Sequence, residues 1–127
     1  MSKAKIIPNN IVWSTYLRRT ELKNFQGNLK QQDNDKEIKM LSNRIKKWFD
    51  APIYIRYEHE NYILDGHQRL KALNMLADSG FLLEDDKIPV VYIKADTEQQ
   101  AKEKVIEYNA KFSQFDTDEL QIFVQDL

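Results

Sequence analysis

The chain contains no cysteine. Disulfides, thiolate metal sites and thiol nucleophiles are therefore excluded together. Its 2 histidines, His59 and His67, do not stand at metal-ligand spacing. Long apolar runs are missing too: the longest, residues 88–93, falls far short of the ~20 residues a spanning helix needs. The start, Met1-Ser2-Lys3-Ala4-Lys5, has no apolar signal core, so a soluble cytoplasmic protein is the expectation. Nor is there an excess of either charge, since 19 basic side chains face 20 acidic ones for a net charge of −1. Non-specific duplex binding draws on phosphate neutralisation, so any contact with DNA has to be local or delegated to a partner. No internal repeat or low-complexity tract is present.

What the chain does have is 127 residues with 42% apolar content, enough for one core of ordinary size and too few for two full domains. A single domain over residues 1–127 is expected. The end at Gln125-Asp126-Leu127 carries no tail or stop signal, which suggests a domain cut from a longer protein. Lys5-Ile6-Ile7-Pro8 reads as a short first strand or an extended lead-in, and residues 11–30 as irregular with one short helix over 14–22. Apolar residues at 38, 41, 45 and 48 or 49 then give an amphipathic helix over 36–48. Ile53-Tyr54-Ile55-Arg56-Tyr57 and Tyr62-Ile63-Leu64 flank a polar turn as a hairpin. A helix after Gly66 buries Leu70, Leu73 and Leu76 or Ala77 and stops at Ser79-Gly80. Residues 88–93 read as an interior strand, with Pro89 confined to its entry. Asp96 or Thr97 caps a helix to about residue 110, and a last helix follows Asp116-Thr117. Strands and helices without regular alternation imply an α+β fold, a small mixed sheet with packed helices.

The chemistry concentrates at Tyr62-Ile63-Leu64-Asp65-Gly66-His67-Gln68-Arg69-Leu70. A strand that breaks at Asp-Gly and restarts as a helix aims backbone N–H groups and the positive end of the helix dipole at one spot. Asp-Gly before a helix is also an ordinary tight turn with exposed polar side chains. An arginine in the first turn opposes the dipole, however, unless an anion lies nearby. Arg69 offers phosphate a bidentate fork, and His67 is a donor or proton carrier near neutral pH.

This stretch, preceded by Pro52-Ile53 and followed by Ile88-Pro89-Val90-Val91, resembles the ParB/sulfiredoxin superfamily, whose helix after the strand pair carries a Gly-x-x-Arg phosphate motif. Gly66 and Arg69 match that motif, and the Asp-Gly-His-x-Arg form is similar to the variant of phage ParB-like proteins and of the superfamily's free-serine kinases. The resemblance covers a core of about residues 36–116. Less closely, Phe25-Gln26-Gly27-Asn28-Leu29-Lys30 resembles a segment of phage ParB-like proteins found with DNA methyltransferases. Gln68 replaces an arginine of the chromosomal Gly-Glu-Arg-Arg form, 127 residues leave no room for a centromere-reading helix-turn-helix, and the missing cysteine excludes sulfiredoxin chemistry.

The resemblance implies a phage-derived ParB-like module acting in DNA maintenance or modification beside a methyltransferase or other DNA-binding partner. Asp65, Gly66, His67, Gln68 and Arg69 would bind a nucleotide (CTP, ATP or ADP) with Mg2+, and Asn109 would help hold the metal. Dimerisation is left open. Two other functions stay in view. One is a serine-kinase-like phosphotransferase with His67 and Arg69 on the phosphates and Glu21 or Glu37 as base, although surface or capping roles suit both glutamates. The other is a Mg-dependent ParB-like nuclease, for which Glu84-Asp85-Asp86 is the best carboxylate cluster, itself readable as a solvated turn. His59 reads as a turn residue. Trp48 and Phe49 read as core, with Trp13 alongside them the alternative of a base-stacking face. Lys36, Lys39, Arg44, Lys46 and Lys47 form a solvated basic face where a DNA backbone would touch.

Overall fold

The computed structural model describes residues 3–25 and 35–113, with side chains described as far as Tyr108. The helix expected after Asp116-Thr117 lies outside the described residues, as do residues 26–30 of the upstream segment.

Among the described residues four strands, β1 (Ile11–Leu17), β2 (Ile53–Arg56), β3 (Ile63–Asp65) and β4 (Ile88–Ile93), form one sheet in the order β1-β4-β2-β3. β4 runs antiparallel to β1 and parallel to β2, and β2 pairs antiparallel with β3. Three helices among the described residues, α1 (Asp35–Ile45), α2 (His67–Asp78) and α3 (Glu98–Ser113), join the sheet in the α+β architecture expected from the sequence. β4 is interior, as its apolar run requires, and its parallel pairing with β2 begins at Val90, one residue past the proline.

Alternation along the strands builds two cores. Ile53, Ile55, Ile63, Ile88 and Val90 meet Leu70 and Leu73 of α2 in one. Leu64 and Ile93 meet Ala101 and Val105 of α3 in the other. Each fully buried Ile or Val contributes roughly 1.5–3 kcal/mol of transfer free energy, so the central strands hold the fold. α1 packs on α2 and buries Ile38.

Three expectations need correcting. Of the two readings of residues 5–7 the lead-in holds, with Ile6 and Ile7 exposed and unpaired with the sheet, and the first strand is Ile11–Leu17, in the stretch read as irregular. No clean period marks it because it is an edge strand with both faces largely open. The helix read over 14–22 is a single 3-10 turn, Arg19–Glu21. Finally, α1 ends at Ile45, which puts Trp48 on the surface at 65% exposure while Phe49 turns in against the first core.

Candidate functional site

Gly66 joins β3 to α2 with φ +116°, a left-handed conformation that L side chains rarely adopt. A Cβ there would stand 2.8 Å from Ile53 Cγ1 and 3.2 Å from Arg69 Nη2, so space and backbone both demand glycine. The helix it opens has no side-chain cap and no acidic residue in its first turn. The positive end of its dipole therefore lies at this corner without a capping side chain.

Arg69 lies across this corner. Its Nη2 donates to the Pro52 carbonyl at 2.7 Å and sits 3.5 Å from Asp65 Oδ2, while its Nε is buried with no hydrogen-bond partner. Two anchors, at the entry to β2 and the end of β3, fix a guanidinium that the helix dipole would otherwise repel. Asp65 supplies the compensating charge through a long contact.

Residues 23–25 close the corner on the third side. Ile63 N–H donates to the Lys23 carbonyl at 2.8 Å and Lys23 N–H to the Asn61 carbonyl at 3.1 Å, which leads the chain along β3 to the start of α2. There the Phe25 N–H donates to His67 Nε2 at 3.5 Å.

On the opposite face, α3 brings Tyr108 edge-on to Tyr54, with ring centroids 5.4 Å apart. Burial first, then Tyr54, Glu107 and Asp65, push the Tyr108 hydroxyl above its ordinary range. The Asp65 carboxylate is thus close enough to Tyr108 to be felt, and Asn109 is the next residue of α3, with its side chain outside the described residues.

Asp65, Gly66, His67 and Arg69 meet at this corner, with Gln68 exposed beside them. The Glu21 carboxylate accepts the Arg18 N–H at 2.7 Å and caps the 3-10 turn. Glu37 sits exposed in the first turn of α1. Glu84, Asp85 and Asp86 form an exposed 3-10 turn in which Asp86 lies 3.5 Å from Arg19. His59 is exposed in the hairpin turn. Among the described residues no group of three or more His, Asp or Glu is placed to hold a metal. The basic residues Lys36, Lys39, Arg44, Lys46 and Lys47 are all exposed, and Lys46 caps the Phe81 ring at 4.7 Å.

Sequence reasoning missed Pro52 and Phe25 as parts of the site, because each contributes a backbone group that carries no side-chain signature. It also missed Arg56, which is 6% exposed and donates Nε to the Ala95 carbonyl at 2.8 Å, tying β2 to the start of α3.

No protein-family model and no curated protein sequence matches this chain. Solved structures do. The C-terminally truncated chromosome-partitioning protein ParB from Caulobacter crescentus, complexed with CTP-gamma-S, matches with TM-score 0.55 and 18% identity over 74% of this chain and 51% of that one. A Pnob8-like ParB-N domain in its C2221 form matches with TM-score 0.60 and 16% identity over 86% of this chain and 42% of that one. A second pNOB8-like ParB N-domain structure gives TM-score 0.60 and 14% identity over 88% and 40%. The chain thus spans about half or less of each of these proteins, and at such identities the likeness is one of architecture. The four-stranded mixed sheet and its three helices have the fold of a ParB N-domain.

Proposed function

We propose that this domain binds a nucleotide through the Gly66–Arg69 corner, and that the bound state serves DNA maintenance or modification. The observation that carries this reading is the Arg69 guanidinium fixed at an uncapped helix N-terminus with a buried, unpartnered Nε. Such a corner has more donors than acceptors, and a di- or triphosphate supplies what it lacks. A ParB of this fold complexed with CTP-gamma-S makes CTP the first nucleotide to try, with ATP and ADP beside it. Mg2+ would be shared between the phosphates, Asp65 and Asn109. The near-zero net charge favours action beside a DNA-binding partner, a methyltransferase in the phage setting that the motif suggests.

Calorimetric titration of CTP, ATP and ADP with Mg2+ tests the proposal. One of them should bind the parent, and Arg69→Ala should weaken it at least tenfold, since each charge-assisted hydrogen bond lost is worth about 1.5–3 kcal/mol. Arg69→Lys should also bind poorly, because a point charge does not replace a fork. Circular dichroism spectra like the parent's would show the fold intact. Equal affinity in parent and Arg69→Ala would place the site elsewhere.

A further inference from the structure

Asp65 faces two groups from two different elements. In the β2–β3 pair it lies directly opposite Tyr54, so the two side chains leave the sheet on the same face. That face is the one α3 covers, where Tyr54 and Tyr108 both pack against the second core. Tyr108 meets the Tyr54 ring edge-on at 5.4 Å, and its hydroxyl feels Tyr54, Glu107 and Asp65. On its other side the Asp65 carboxylate meets Arg69 Nη2 at 3.5 Å, the two side chains being 26% and 21% exposed. Among the described residues no hydrogen bond reaches that carboxylate, and none leaves the Tyr108 hydroxyl.

Arg69 cannot neutralise Asp65 and grip a phosphate with the same nitrogen. Once the guanidinium turns to a ligand, Asp65 loses its cation, and a half-buried carboxylate without a donor is costly. A phenol held above 10.0 keeps its proton throughout the physiological range, so Tyr108 is a standing donor beside that carboxylate. We propose that Tyr108 is a positioning residue of the corner, whose hydroxyl takes over the Asp65 carboxylate when Arg69 turns to a phosphate and so leaves the guanidinium to the ligand. The inference rests on the nucleotide reading of the Gly66–Arg69 corner. It adds α3 to a site built so far from β2, β3 and α2.

Calorimetry near neutral pH of CTP, ATP and ADP with Mg2+ on the parent, Tyr108→Phe, Asp65→Asn and the double variant tests it. Phenylalanine keeps the ring against Tyr54 and the second core, so the unfolding midpoint of Tyr108→Phe should match the parent's. Its affinity for the nucleotide the parent binds should fall about tenfold, the effect of one hydrogen bond to a charged group. In the Asp65→Asn background the same substitution should change affinity less than about twofold, because the carboxylate it serves is gone, whereas a ring that only packed would cost the same in both. Without ligand, the Tyr108 ring followed by NMR should titrate at lower pH in Asp65→Asn than in the parent. A parent that binds none of the three nucleotides would sink the nucleotide reading and this inference together. Tyr108→Phe binding like the parent, an equal loss in both backgrounds, or a Tyr108 midpoint unmoved by Asp65→Asn would overturn this inference alone.

Discussion

Replacing Gly66 by alanine tests the corner on which the proposed site is built. At φ +116° an L residue meets a left-handed penalty of about 1–2 kcal/mol. The new Cβ would also press Ile53 Cγ1 at 2.8 Å, and Ile53 cannot retreat because it is fully buried between β4 and α2. Overpacking of that kind costs about 1–3 kcal/mol. Against both stands the entropy a glycine releases in the unfolded chain, which makes alanine about 0.4–1 kcal/mol better there. The net loss is about 2–4 kcal/mol, which for a domain of this length lowers Tm by roughly 10 °C. Urea unfolding followed by circular dichroism reads it as a lower midpoint at unchanged slope. A double-mutant cycle with Ile53→Ala separates the two causes. Once the crowding partner is gone, the Gly66→Ala penalty should shrink by about 1–3 kcal/mol, leaving the backbone share. A Gly66→Ala protein within about 0.5 kcal/mol of the parent, the range of an inconsequential surface change, would refute the geometry.

Other expectations follow from the same structure. Thr97 Oγ1 accepts the Gln100 N–H at 3.1 Å at the start of α3, so Thr97→Ala should cost about 1 kcal/mol of stability in the same assay. Tyr108 and Tyr92 both have hydroxyls held above the ordinary 10.0, in each case chiefly by burial. The native state therefore keeps its protons longer than the unfolded chain does, and stability should fall as pH rises past about 10. Tyr108→Phe should flatten that fall between pH 9 and 11; an unchanged slope would mean that Tyr108 titrates like a free tyrosine.

Much of the central sheet was legible in one dimension because its signals are local. Ile53-Tyr54-Ile55 and Ile63-Leu64 are β-forming runs on either side of a polar turn, and Asp-Gly marks the switch to a helix whose Leu70, Leu73 and Leu76 repeat with its turn. β1 was not legible. Its residues alternate poorly because the strand packs against β4 along one edge while both faces stay largely open, so neither face imposed a pattern. Trp48 misled for a related reason: helical spacing says which positions share a face but not where the helix stops, and α1 stops at Ile45.

By itself the amino-acid order determined the glycine turn, the arginine in the first turn of α2 and the absence of any thiol chemistry, since each depends on residue identity or on spacing within a few residues. Only the tertiary structure decided what that arginine faces. The Pro52 carbonyl, the Asp65 carboxylate and the Phe25 amide reach the corner from three separate segments, two of them through backbone groups that every residue type carries. The outermost place of β1 among the described strands was likewise a decision of the sheet's order, because a strand's exposure is set by which neighbours pair with it and not by its own composition.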